Sequence, residues 1–562
     1  MLVSCGDMIY DESDQVTYAD KEHLTSDADT LWSVAGIINK MQVIADRTIL
    51  LGEMRGDLVD ITSNSSADLR ELAFFNISRG NRYNVVRDYY AIINNCNYYI
   101  AKADTALRNN RNERVFMKEY AAVKAFRAWT YLQLVINYGH VPFITEPILT
   151  KDDSERDFPR YGIQDICQYF INDLAPYADM ETPNYGAIRN TDSKLMFFPV
   201  RILLGDLNLW AGNYRAAAEN YYQYISKRNG LNAAYPTSTN CVRFATNDSH
   251  WMSISDSWST EFLTETASAN SELITMIPGD SIPSEGNYSE LRDLMNTNEN
   301  NSYKQSIVPS NRLFSLSASQ KYCHYTTGGK FVFAPVELAD NRSGDLRLQS
   351  IYKTLDGTNG KRVDNYVTNG KYSTRNVHIY RRTMVYLRLA EALNRAGFPR
   401  FAFQILKRGI NNSCIENEVI PYYQADEAWL KSFDFPNNSY ILETTAGLTN
   451  ENTMGIHSHG SGYTAWNTAY EMPVNETLEG QALIDWQIEK VEDLIIDEEA
   501  LEFAFEGYRY YDLMRVSLHR GDPTYLANRI YMRRGEANVS DMRAQILADL
   551  NDMNNWYLKI DE

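Results

Sequence analysis

The chain has 562 residues, enough to bury a large core spread over several structural units, and 73 acidic against 54 basic side chains leave a net charge of −19. That balance argues against nucleic acid or an anionic membrane surface as the main partner. Six cysteines are scattered at 5, 96, 167, 241, 323 and 414 with no CxxC and no zinc spacing, which leaves no zinc module to build.

In chain order, Leu2-Val3-Ser4-Cys5-Gly6 resembles a bacterial lipobox, with an aliphatic residue and two small ones before the cysteine that is acylated after cleavage. Cys5 is then the candidate lipid anchor. Residues 1–33 read as signal remnant and tether, and 34–228 as N-terminal helical hairpins. Within Asp46–Asp57, ILLGEMRGD breaks an apolar run into Gly and charge, which predicts a turn. Asn64–Asn84 is polar and reads as a loop with one short helix. Val85–Leu107 is expected to be helical, with Tyr89, Ile92, Ile93, Cys96, Ile100, Ala103 and Leu107 on one face, and Cys96 belongs to core. It pairs with a helix from Phe116 that carries Tyr120, Val123, Arg127, Tyr131, Leu134 and Tyr138 on one stripe and Ala121, Ala125, Ala128 and Leu132 on the other. A helix apolar on two sides is buried on both, and Arg127, Gln133 and Asn137 keep it from being a membrane span, which needs roughly 20 apolar residues. Gly139 and Pro142 end it.

Two further hairpins share one register. Gly205, Gly212, Ala217 and Tyr221 recur as Ala390, Gly397, Ala402 and Leu406, each 185 residues later. Small residues where two helices cross, with Gly at the turn, are the register of tetratricopeptide hairpins. Residues 229–380, rich in turn signals such as PGDSIPSEGN and LDGTNGK, form a loop-rich insertion with short strands near Lys330–Val336. A hairpin at 381–411, an irregular stretch at 412–485 and a C-terminal helical segment at 486–562 follow. In the last, Asp497–Val516 reads as one continuous helix. Asp497, Glu498 and Glu499 then sit at its N-terminus, where the dipole favours them, and Glu506, Arg509, Asp512 and Arg515 form an i, i+3 ion-pair ladder.

AAVKAFRAWTYLQLVINYGHVPF, SGDLRL (Ser343–Leu348), MVYLRLAEALNRAG (Met384–Gly397) and EEALEFAFEGYRYYDLMRV, spread in order over most of the chain, resemble the SusD/RagB family of surface nutrient-binding lipoproteins. The resemblance implies a mainly α fold, a scaffold of about four tetratricopeptide-like hairpins carrying an irregular subdomain with a few short strands. It also implies an outer-membrane, cell-surface lipoprotein of a Gram-negative bacterium that captures oligosaccharide, or in some members peptide. It would act as the lid of a SusC-like TonB-dependent transporter, without a cofactor and without catalysis. Two departures stand out. The polar loop before the first hairpin has no Trp, which counts against starch, and NNWYLKIDE lacks the family's Pro-rich ending.

Sugar or peptide recognition needs aromatic faces flanked by amide and charged groups on held loops. Trp251 and Trp258 in HWMSISDSWS, Tyr288, Tyr303 and Tyr325 in insertion loops, and Tyr463 and Trp466 in the Gly455–Asn467 loop supply the faces. Asn76, Arg79, Asn81 and Tyr83 join them because the resemblance places ligand contacts before the first hairpin. About a third of these residues are expected to touch ligand. Other chemistry finds no support. His457 and His459 lack a third metal ligand and read as solvated loop histidines, and Asp356-Gly-Thr-Asn-Gly360 departs from a calcium loop at Gly360 and Val367. No metal site, cofactor motif or catalytic residue is assigned, and Glu506 with Asp512 as a glycosidase pair ranks below the ladder. A tetratricopeptide-like interaction scaffold without small ligand is the alternative, and a surface glycoside hydrolase ranks last.

Overall fold

The computed structural model describes residues 29–188, 191–226, 240–246, 251–267, 272–279, 287–297, 305–325, 331–334, 344–354, 367–435, 455–463, 467–535 and 541–560. Helices carry the architecture: α1 Asp29–Glu53, α2 Val86–Lys102, α3 Met117–Tyr138, α4 Ile163–Leu174, α5 Val200–Trp210, α6 Tyr214–Ser226, α7 Arg382–Arg395, α8 Pro399–Lys407, α9 Gly480–Phe503, α10 Arg509–Arg520 and α11 Thr524–Tyr531. Helix α1 begins inside the stretch expected as tether, so Asp29–Ser33 belongs to the fold. It runs on to Glu53, and the turn expected within Asp46–Asp57 follows from Met54.

Helix α3 is the buried axis that its two apolar stripes predict. Every residue from Ala121 to Leu132 is buried, and Gly139, at φ 77°, ends it. Two charges lie in that span: Lys124 pairs with Asp173 Oδ1 of α4, and Arg127 donates to Asp173 Oδ2 at 3.0 Å and to Asn97 Oδ1 of α2 at 3.0 Å. A single guanidinium thus ties three helices together while keeping its own charge matched in the core.

The repeated register is structural. Gly212 and Gly397 both take positive φ, 79° and 102°, and close the same turn. Gly212 N–H donates to Leu209 O at 3.3 Å and Asn213 N–H to Asn208 O at 2.9 Å. At the same offset, Gly397 N–H donates to Asn394 O and Phe398 N–H to Leu393 O, both at 3.0 Å. Gly205 sits where the helices cross, and a Cβ there would come within 2.4 Å of the Tyr221 ring. Although 185 residues apart, the α5/α6 and α7/α8 hairpins stack directly, α6 against α7, and α9 covers α7 and α8. With α2/α3 and α9/α10 they make four helix pairs. The chain closes as α10 returns onto α1.

The insertion follows α6 and rejoins this stack through one strand pair, Leu273–Ile277 against Val377–Arg381, which runs straight into α7. Among the described residues the sheets are all two-stranded. Two of them, Val242–Thr246 with Trp251–Asp256 and Tyr322–Tyr325 with Phe331–Ala334, are antiparallel pairs of neighbouring strands.

The continuous helix expected over Asp497–Val516 is broken. α9 ends at Phe503 and α10 starts at Arg509; between them Phe505 and Gly507 take φ 71° and 86°. The break lets α1 approach at backbone contact. Gly507 N–H donates to Glu53 Oε1 at 2.9 Å, and a Cβ on Gly52 would lie 1.7 Å from Gly507 O. The acidic run therefore lies late in α9 rather than at a helix start, and Glu498 and Glu499 are buried. The expected surface ladder also dissolves into contacts between elements. Glu506 meets Arg381 at 2.8 Å, Arg509 meets Asp57 at 2.6 Å, Asp512 meets Arg388 at 2.6 Å and Arg515 meets Glu391 at 2.8 Å. Only Asp512–Arg515, 2.8 Å, survives as an i, i+3 pair. The periodicity registered charge spacing, but burial recruited each charge to a different partner.

Two outcomes are expected. Gly205→Ala overpacks the α5/α6 crossing and lowers stability by about 1–3 kcal/mol, readable in thermal unfolding. Burial pushes the Glu53 carboxyl up to about 8 against the pull of the Gly507 N–H. Its stabilising proton is fully held below the unfolded value of about 4.3 and lost as pH rises towards 8, a decline of about 1.4 kcal/mol per pH unit. Glu53→Gln keeps an acceptor for Gly507 and removes that slope, so chemical denaturation between pH 5 and 8 should flatten; an unchanged slope refutes the assignment.

Candidate functional site

The loop before the first hairpin is built around one carboxylate. Ser66 caps the short helix Ala67–Ala73, and Glu71 near its end accepts Ser78 N–H at 3.0 Å, Ser78 Oγ–H at 2.8 Å and Asn81 Nδ2–H at 2.9 Å. Those bonds hold the Glu71 carboxyl below its usual range. Asn81, expected at a ligand, is buried and works as a strut, its Oδ1 accepting the Tyr83 N–H at 3.0 Å. Tyr83 is buried as well. The Arg82 guanidinium lies 4.8 Å from its ring centre and donates to its hydroxyl at 2.6 Å, and burial pushes that hydroxyl up to about 12. Asn76 and Arg79 remain exposed on the rim of this braced loop.

The fold carries part of the insertion to the same rim. Arg82 donates to Glu290 Oε2 at 2.6 Å, while Asp46 of α1 accepts Ser289 Oγ–H at 2.7 Å and Glu290 N–H at 2.8 Å. Next in chain, Tyr288 is half-buried with Arg375 stacked 3.7 Å from its ring centre, and Arg375 is gripped by Asp293 at 3.0 and 3.1 Å. Arg82, Glu290 and Arg375 had no signal in the sequence. They lie in unrelated segments, and only the docking of 287–295 onto α1 unites them.

A second group forms where the two insertion hairpins meet the Gly455–Tyr463 segment. Phe244 N–H donates to the Tyr322 hydroxyl at 3.0 Å, and Tyr463 N–H donates to Cys323 O at 3.0 Å. The half-buried Tyr463 ring sits 5.8 Å from His324, whose pKa is lowered by burial and by the Arg243 charge. Phe331, opposite Tyr325 in the hairpin, is 37% exposed. Trp251 and Tyr325 occupy strand positions in these hairpins, but their side chains lie outside the described residues, as do Cys5, Tyr303, Trp466 and the 356–360 turn altogether.

Two expectations are corrected. Trp258 is not a stacking face: the turn Trp258–Leu263 points it inward, it is fully buried, and its Nε1–H donates to Glu502 Oε1 at 3.2 Å. His457 and His459 are not solvated. Both are buried, His457 Nδ1 lying 2.6 Å from Glu498 and His459 Nδ1 3.2 Å from Glu502. Polar flanking residues suggested exposure in both cases, yet the partners are the buried carboxylates Glu498 and Glu502 of α9. Among the described residues there is no group of three or more His, Cys, Asp and Glu side chains able to hold a metal, and no helix is long and apolar enough to cross a membrane.

No family model matches the sequence, and no curated protein aligns with it. Solved structures do match. A SusD superfamily protein from Bacteroides thetaiotaomicron superposes with a TM-score of 0.56 at 15% identity, covering 94% of this chain and 95% of its own. The fold is that of the SusD superfamily. A putative sugar binding protein from Bacteroides vulgatus matches with a TM-score of 0.55 at 16% identity over 88% of each chain. A SusD-like carbohydrate binding protein from the same species matches at 0.52 and 14%, over 88% of this chain and 84% of that one. The braced 62–84 loop and the insertion hairpins are carried on this SusD-type fold.

Trp258→Ala should lower stability by about 3–5 kcal/mol, the usual range for deleting a buried aromatic. A stable Trp258→Ala variant with a selective loss of ligand affinity would return this residue to the binding surface.

Proposed function

We propose that this protein captures oligosaccharide on the rim formed by Asn76, Arg79, Arg82, Tyr288 and Glu290. The observation that carries the reading is the Glu71-braced loop meeting the Tyr288 loop on a SusD-type fold: exposed amide and guanidinium groups beside an aromatic ring, held by hydrogen bonds within the rim. Rigid presentation matters because a sugar hydroxyl gains little net energy from any one hydrogen bond, so ordering the loop in advance decides whether binding is measurable.

On this reading Cys5 is acylated and holds the chain on the outer face of an outer membrane. The helical stack serves as the arm that closes over a TonB-dependent transporter, and the protein catalyses nothing. Peptide is the second reading, favoured by the charge of the rim, where Arg82, Glu290, Arg375 and Asp293 outnumber the rings, and by the withdrawal of Trp258 into the core.

Calorimetry against a panel of neutral oligosaccharides and short peptides tests both. Arg79→Ala with Tyr288→Ala should weaken the best glycan at least tenfold, about 1.4 kcal/mol, with unfolding unchanged. Peptide binding alone would replace the glycan reading, and release of shorter products from any glycan would end the non-catalytic one.

A further inference from the structure

An open pocket of about 420 Å³ shares no residue with the proposed glycan rim. It is lined by Arg312 and Ser315 of the helix Asn311–Ser319, Asn528 and Arg529 of α11, and Met532 and Gly535 beyond it. Its two guanidiniums are poorly matched. Arg312 reaches carboxylates only at 4.0 Å (Asp57) and 3.9 Å (Asp497), beyond hydrogen-bond distance. Arg529 approaches Asp493 Oδ1 and Tyr525 O only at 3.5 Å, and its buried Nε–H has no hydrogen-bond partner among the described residues.

The reason lies in competition. Asp57 is occupied by Arg509, whose Nε and Nη2 donate to its two oxygens at 2.6 and 3.0 Å. Asp493 accepts the Tyr525 hydroxyl at 2.9 Å and Arg520 at 3.2 Å. Burial pushes the Asp497 carboxyl up, weakening it as a counter-charge. Arg312 and Arg529 are left with donors to spare, and each carries five N–H groups in a fixed fork. Arg529 is held in plane by stacking 3.5 Å from the Tyr525 ring centre. Two guanidiniums short of hydrogen bonds in one pocket stand out on a chain of net charge −19.

We propose that Arg312 and Arg529 bind a planar carboxylate borne by a sugar-sized ligand. The fork geometry of guanidinium suits two parallel N–H···O bonds to a carboxylate, and the Ser315 hydroxyl, Asn528 amide and Met532 side chain line room for a polar ring beside it. The site shares no residue with the glycan rim.

The test titrates the full chain with D-glucuronate, D-glucose, acetate and inorganic phosphate, followed by calorimetry or ligand-observed NMR. Glucuronate should bind and glucose should not; R312Q/R529Q should weaken glucuronate at least tenfold, and Arg79→Ala with Tyr288→Ala should leave it unchanged. R312K/R529K, which keeps charge and fold but loses the fork, should also weaken it. Equal affinity for glucose, stronger binding of phosphate than of glucuronate, or undiminished glucuronate binding by a folded R312K/R529K variant would each overturn the assignment.

Discussion

Glu502 is the point on which this molecule turns. One buried carboxylate near the end of α9 accepts from Arg347 at 2.8 Å, Arg381 at 2.6 Å and Trp258 at 3.2 Å, and lies 3.2 Å from His459. Burial alone would raise its pKa; Arg381, His459 and Arg347 outweigh that and hold it well below the usual range. Removing charges from water costs several kcal/mol each, so such a cluster stands only if every member finds its partners. The geometry must be assembled whole, which makes the cluster a specification of where each segment goes more than a source of stability.

The partners come from segments that decorate the helical stack far apart in sequence. Arg347 arrives from the insertion with Asp345, Arg381 from the strand leading into α7, Trp258 from the middle of the insertion, and His459 from the 455–463 segment. A neighbouring cluster does the same for the helices: Arg388, Glu391 and Arg395 of α7 meet Asp512 and Arg515 of α10 and Glu492 of α9. In Glu492, burial is outweighed by His519, Arg395 and Arg520, which hold its carboxyl at about 2. Apolar packing stacks the helices, and the charges decide how the irregular segments are attached to them.

The loop groups inherit their positions from this arrangement. The insertion is clamped at Leu273–Ile277 and Val377–Arg381, and between those anchors it reaches α1 through Ser289 and Glu290. The 62–84 loop needs no such anchor for its shape, because Glu71 organises it locally. Binding chemistry therefore combines one self-braced loop with one that only the tertiary fold brings into place.

The sequence by itself determined what is local and periodic: the buried axis of α3, the burial of Cys96, the turn register shared by the two hairpins 185 residues apart, the mainly helical class and the resemblance to SusD-type proteins. Helical spacing and glycine turns are written in neighbouring residues, so they can be read there. Only the tertiary structure decided that the two hairpins stack on each other, that Phe505 and Gly507 break the last long helix, and that Trp258, His457 and His459 lie inside. A charged or polar side chain looks the same in a sequence whether water or a distant counter-charge satisfies it. Which of the two it meets depends on segments hundreds of residues away.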